Sequence, residues 1–184
     1  METYILVANA DEAHHLDSFV QKNPHIQLMI TGEGRSRVIA TLAQCLKEGK
    51  MTPHDRLINV GYVGAQGYKK GQVVIVKTVG HLFPSTTIHE PRLCLEKGPG
   101  VDCYTADNFV NKDTFSMDAK GVIDMELYYI ALMFPKVISI KIVSDELDYN
   151  DYKQAKFEKA WGQVQKKIES IVQGKSCVSD QKVK

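Results

Sequence analysis

VIDMELYYIALMFPKVISIKIVSDELD, Val122 to Asp148, reads as strand, helix, strand, and each strand ends on an acid. Val122-Ile123 runs into Asp124-Met125-Glu126, an almost wholly apolar helix follows, and a second apolar strand ends in Ser144-Asp145-Glu146. In an open α/β sheet, ligands bind outside the carboxyl ends of the strands. A buried acid is costly unless it is paired or functional. Glu126 and Asp145 are therefore read as two halves of one small-molecule site.

Outward from this stretch, other strand-helix pairs repeat the pattern. Tyr4-Ile5-Leu6-Val7-Ala8 is a buried-strand run followed by Asn9-Ala10-Asp11-Glu12, where Asn9 or Asp11 caps a helix with Ala13, Leu16, Phe19 and Val20 on its apolar face. Glu12 compensates the dipole of that helix or faces the same crevice as Glu126; position alone leaves these readings level. His14 and His15 lack a third ligand and are placed on the solvent face. Ile26–Ile30 is a second strand, ending in the turn Thr31-Gly32-Glu33-Gly34-Arg35-Ser36 before a helix ending near Gly49. Such a turn brings backbone N–H groups to an anion or a hydroxyl, but its spacing is neither that of a P-loop nor that of a dinucleotide fingerprint.

Leu57–Val60 is a third strand running into Gly61-Tyr62-Val63-Gly64, whose glycines imply close approach to a ligand or a helix. Val73–Val79 is a β-branched strand, and residues 80–100 read as a long irregular connection. Val101–Tyr104 forms a brief strand, and Phe109 just beyond it reads as core filler. Phe157, Trp161, Val164, Ile168 and Ile171 mark a C-terminal helix over Asp151–Gln173 whose stripe is packing. Strands alternating with helices give an α/β class: one three-layer α/β/α domain over residues 1–173, with a central, mostly parallel or mixed twisted sheet, and a polar tail over 174–184.

Composition sets limits. The chain has 184 residues, 43% apolar and 24% charged, with net charge +1, so no nucleic-acid or membrane partner is expected. Acids stand where a signal peptide carries basic residues, so a cytoplasmic protein is expected. Cys45, Cys94, Cys103 and Cys177 are scattered without metal-ligand spacing and read as free thiols. No metal and no cofactor is expected.

Taken in order, these segments resemble the purine nucleoside phosphorylase and nucleosidase superfamily, and its methylthioadenosine/S-adenosylhomocysteine nucleosidase branch in particular. Thr31-Gly32-Glu33-Gly34 resembles that branch's TGxG turn. Asn59 to Ala65, followed by Gly71-Gln72-Val73-Val74, resembles its N-x-G-x-A-G and G-D-x-V segments. Ala106-Asp107-Asn108-Phe109-Val110, Asp124-Met125-Glu126 and Ser144-Asp145 resemble its G-D-x-F, v-x-M-E and S-D motifs.

The resemblance implies hydrolysis of a purine N-glycosidic bond. Asp145 would be the general acid at the leaving base and Glu12 the base that orients water. Glu126 would accept from the ribose hydroxyls, with Met125 against the sugar, Phe109 stacked on the base and the Val110 backbone at its edge. Gly61, Tyr62, Ser144 and Lys141 complete the implied substrate contacts. Tyr62 stands where a smaller residue is usual, and Lys141 where an arginine near the catalytic water is usual. The chain is also shorter than typical members between Val79 and Val101, a region that in the family builds the 5′ pocket and the dimer contact.

A homodimer is expected from the resemblance. Futalosine-type hydrolysis, phosphate-dependent cleavage and nucleoside binding without catalysis are the alternatives. Of the four arginines (Arg35, Arg37, Arg56, Arg92), Arg35 and Arg37 are the phosphate-clamp candidates.

Overall fold

The computed structural model describes residues 2–82, 88–95, 99–113, 121–153 and 157–174. The elements run β1 (Thr3–Val7), α1 (Ala10–His14), α2 (Asp17–Lys22), β2 (Ile26–Ile30), α3 (Arg35–Lys47), β3 (Arg56–Gly64) and β4 (Val73–Leu82). They continue with β5 (Ile88–Cys94), β6 (Val101–Ala106), β7 (Val122–Asp124), α4 (Leu127–Met133), β8 (Ile138–Asp145), α5 (Tyr149–Lys153) and α6 (Glu158–Val172).

The sheet is mixed and is not simply open. Its order is β2-β1-β3-β7-β6-β4-β5, and β8 pairs with both β3 and β4. Strands β3, β7, β6, β4 and β8 therefore close into a ring of five, from which β1, β2 and β5 extend. Pairings β1–β2, β1–β3, β3–β8, β4–β6 and β6–β7 are parallel; β3–β7, β4–β5 and β4–β8 are antiparallel. The closure replaces the plain open sheet anticipated from strand-helix alternation. Sequence periodicity cannot register it, because each closing partner lies far along the chain.

Side chains alternate across the pleat, as strand geometry requires. Tyr4 and Leu6 join a cluster with Val38 and Leu42 of α3 and Leu127 and Ile130 of α4. Ile5 and Val7 face the other way, into a cluster with Leu16, Phe19, Trp161, Val164 and Ile168. The α6 stripe is thus packing, as its period indicated.

Several boundaries differ from the sequence reading. The first helix is two short ones, α1 and α2, with Leu16 between them as the N-cap of α2. The C-terminal helix is likewise divided into α5 and α6. Within residues 80–100, anticipated as irregular, β4 runs on to Leu82 and β5 pairs antiparallel beside it; this edge strand has little period-2 signal. Cys45, Cys94 and Cys103 are free thiols. Cys177 and the tail from residue 175 onward lie outside the described residues. Among the described residues, no helix is long and apolar enough to cross a membrane.

One register places the site. Gly64 lies opposite Ile123 of β7 on one side and Asp145 of β8 on the other. The two acid-bearing strand ends of the 122–148 stretch therefore meet across the end of β3.

Candidate active site

A cavity of about 640 Å³ opens at these strand ends, within the range typical of small-molecule sites. Glu12, Glu126 and Asp145 all line it.

Glu12 lies in the first turn of α1, where the Asn9 side chain accepts from its N–H (3.0 Å) and caps the helix. The carboxylate is not spent on the helix dipole. It is buried, and it accepts from the Ala8 N–H through Oε2 (2.8 Å) and from the Tyr62 N–H through Oε1 (2.9 Å). Burial raises its pKa, while the two N–H donors and the charge of Lys141 pull it back. Gly61 makes the approach possible: a Cβ there would stand 2.9 Å from Glu12 Oε1. Gly61 itself does not line the cavity; it makes room for the acid that does.

Glu126 is the N-cap of α4, immediately after β7. Its Oε1 accepts from the Gly34 N–H at 2.7 Å. Gly34 has φ 77°, a conformation that glycine adopts without strain, and it caps α3. The glycine-rich turn thus does hold an anion with a backbone N–H, that of Gly34, and the anion is the protein's own carboxylate. Burial, with Asp124 adding repulsion, pushes Glu126 up to about 7 against the attraction of Lys141. Met125 lines the cavity beside it.

Asp145 closes β8. Its Oδ2 accepts from the Ser144 hydroxyl (2.5 Å) and its Oδ1 from the Asp148 N–H (3.1 Å). Burial raises its pKa, and these hydrogen bonds partly offset the rise. Gly64 stands in the same relation to Asp145 as Gly61 does to Glu12. A Cβ at Gly64 would lie 2.7 Å from Leu147 Cδ2 and 3.0 Å from Asp145 Oδ1.

The walls are aromatic. Phe109 is 37% exposed and sits edge-on to Tyr149, with centroids 5.2 Å apart. The core-filler reading is therefore replaced by a surface platform at the cavity. Tyr149 and Tyr152 of α5 also line the cavity, and the sequence reading did not single them out. Their signal was a doublet at spacing three, on a helix too short to show a period. Val110 lines the cavity and packs on the cluster of Leu82, Tyr104, Ala106, Ile123 and Leu147.

Tyr62 is a wall and not a plug. Its hydroxyl accepts from Trp161 Nε1 at 2.8 Å and its ring meets Tyr152 edge-on. His15 is not purely solvent-facing: it stacks on Trp161 at 4.8 Å.

Lys141 lies beneath the cavity and does not line it. Its ammonium is 2.9 Å from Asp124 Oδ2, and both side chains are buried. The cavity wall, among the described residues, contains no lysine or arginine. Arg35 is spent elsewhere, 3.8 Å from Asp107 and over the Tyr129 ring. Arg37 is exposed and packs its stem against Gly32.

The electrostatics have a consequence for stability. A carboxyl whose folded pKa is raised favours the native state below its unfolded pKa and loses that contribution as pH rises through the folded value. For Glu126 the window runs from the ordinary 4.5 to about 7. Glu126→Gln, which retains an acceptor for Gly34, is therefore expected to stabilise the protein by up to about 3 kcal/mol at about pH 8 and by little at about pH 4.5. Denaturant unfolding of both proteins at the two pH values checks this; an equal effect at both would mean that Glu126 titrates normally.

No protein-family model and no curated protein sequence matches the chain. Solved structures do. The MTAN of Chlamydia trachomatis aligns with TM-score 0.69 at 18% identity, covering 95% of this chain and 98% of that one. Futalosine hydrolase of Helicobacter pylori aligns with TM-score 0.72 at 13% identity, with the same coverage. The 5′-methylthioadenosine/S-adenosylhomocysteine nucleosidase of Neisseria meningitidis, in complex with methylthio-immucillin-A, gives TM-score 0.65 at 17% identity over 95% and 100% of the two chains. The chain shares the fold of these solved structures.

Proposed function

We propose that this chain hydrolyses the N-glycosidic bond of a purine nucleoside of the methylthioadenosine or S-adenosylhomocysteine type. One observation carries the reading: three buried carboxylates, Glu12, Glu126 and Asp145, converge on one aromatic-walled cavity whose described wall holds no arginine or lysine. Breaking this bond builds positive charge on the ribose and negative charge on the departing base. Glu126 accepts from the ribose hydroxyls and, with Glu12, stabilises the ribosyl cation electrostatically. Glu12 takes the proton from water as the new C–O bond forms at the anomeric carbon. The C–N bond breaks, and its electron pair leaves with the base, which receives a proton from Asp145. The base lies against Phe109, with the Val110 backbone at its edge and Met125 against the sugar.

The acidic wall argues against a phosphate nucleophile. A phosphate dianion would meet Glu12 and Glu126 with no lysine or arginine on the described wall to pair with it, since Lys141 is committed to Asp124. Futalosine-type hydrolysis shares this chemistry and differs in base and 5′ group; the likeness to the Helicobacter pylori futalosine hydrolase keeps it as the second reading. A cytoplasmic homodimer goes with the same family reading.

The test is base release from methylthioadenosine, adenosylhomocysteine, inosine and futalosine, with and without phosphate, followed by chromatography. Release from one of the first two without phosphate is the expected result. Fastest release from futalosine would shift the assignment to the second reading. A requirement for phosphate would overturn hydrolysis, and no release from any of the four would overturn catalysis on this substrate class.

A further inference from the structure

A buried ion pair stands beside the two carboxylates that face the sugar side of the proposed reaction, and Asp124 is itself among the residues around the cavity. Lys141 and Asp124 have side chains only 2% and 0% exposed. Asp124 is pinned by three groups. Thr105 Oγ1 donates to Oδ1 (2.6 Å), the Leu127 N–H donates to Oδ2 (3.0 Å), and Lys141 Nζ is 2.9 Å from Oδ2. Thr105 Oγ1 is itself fixed by the Tyr128 N–H at 2.9 Å. Lys141 lies opposite Gly61 in the β3–β8 register, at the glycine against which Glu12 rests. One ammonium thus sits among three carboxylates and is committed to the one that the ligand-facing acids do not need.

Such a pair is not explained by stability. Desolvating two charges costs about as much as their attraction returns, and apolar residues of the same volume commonly do as well or better.

We propose that Asp124 is a positioning residue that sequesters Lys141, keeping the ammonium from pairing with Glu126 or Glu12, so that the lone pairs their backbone N–H donors leave over stay open to ligand hydroxyls and water. The cation still acts on both acids through space, lowering carboxyl pKa values that burial raises; direct pairing would occupy their oxygens and weaken Glu12 as a base. The groups facing Glu126 from the surrounding elements are consistent with this. They are Asp124 on β7, Lys141 on β8, Glu12 on α1, Tyr152 on α5 and the Gly34 N–H at the start of α3. Cys103 on β6 lies against Asp124 from behind. Burial alone would pull Lys141 down, but Asp124 and Glu126 hold it charged.

The experiment reads Glu126 itself. Protein labelled at the glutamate side-chain carboxyl carbon is titrated by NMR, and the Glu126 resonance is assigned by its loss in Glu126→Gln. The native midpoint should lie at about 7. Asp124→Asn removes a repelling charge and releases Lys141, so the midpoint should fall by roughly one unit or more. Lys141→Met removes the attraction, so it should rise by a similar amount, roughly one unit. Lys141→Arg should return it to near the native value.

An unchanged or raised midpoint in Asp124→Asn would overturn the proposal, as would an unchanged one in Lys141→Met. If Asp124→Asn does not fold, Asp124→Ser is titrated in its place, with the same fall expected and an unchanged or raised midpoint again overturning the proposal. The consequence for turnover rests on the nucleosidase reading: the acid limb of kcat/KM should follow each midpoint. The titration does not depend on that reading, so shifted midpoints without base release would sink the function and leave the sequestration standing.

Discussion

Asp145→Asn is expected to lower kcat by roughly 10²–10⁴-fold, the usual contribution of a positioned general acid, equivalent to about 3–5 kcal/mol of barrier. The amide retains an acceptor for the Asp148 N–H, so the end of β8 should keep its shape. What disappears is the proton. Burial holds the Asp145 carboxyl in its acid form to higher pH than an exposed aspartate, which is what a donor to the departing base requires. Binding of a nucleoside analogue should change little, because the ribose hydroxyls and the base face are met by Glu126 and Phe109. Turnover and analogue affinity measured on the same preparation check this. A variant that turns over normally would remove Asp145 from the chemistry, and one that loses affinity in proportion would make it a binding residue only.

Glu12→Gln is the second large effect, expected to reduce kcat by roughly 10²–10⁴-fold. Its cause differs in a way that can be measured. Both Glu12 oxygens accept from backbone N–H groups, those of Ala8 and Tyr62. An amide at this position must aim its NH2 at one of those donors, so one hydrogen bond is lost along with the base. That loss costs about 1–3 kcal/mol, less whatever is regained by no longer burying a charge. Glu12→Gln should therefore combine a large kinetic effect with a modest stability change, and Asp145→Asn a large kinetic effect with almost none. Full activity in Glu12→Gln, with stability reduced, would return Glu12 to a purely structural role at the start of α1.

Much of this arrangement was legible in the residues. The acids at the ends of the 122–148 strands stand out because nothing else charged interrupts the apolar run, except Lys136 and Lys141. Periodicity located β1, β2, α3 and the packing face of α6, since each buries a regular stripe that leaves a period in the sequence. Glu12 was ambiguous for a physical reason. An acid in a first helical turn is favourable in any protein, so its position did not distinguish the roles until Gly61 and the Tyr62 N–H were found against its oxygens. Residues 80–100 were misjudged because β5 is an edge strand and carries little alternation. Phe109 was read as core because an aromatic beyond a strand end usually packs inward; here Tyr149, forty residues later, meets it at the surface.

The sequence alone determined the α/β class, the order of the motifs and which carboxylates to watch, because local period and strand-end position are properties of short segments. Only the tertiary structure decided that β8 pairs with both β3 and β4 and closes a ring, since that depends on partners 63 to 81 residues apart. The same holds for the electrostatics. Lys141 is one more cation in a β-strand until the fold buries it 2.9 Å from Asp124. Charges act across space through a poorly screening interior, so a chain distance of seventeen residues carries no trace of that pairing.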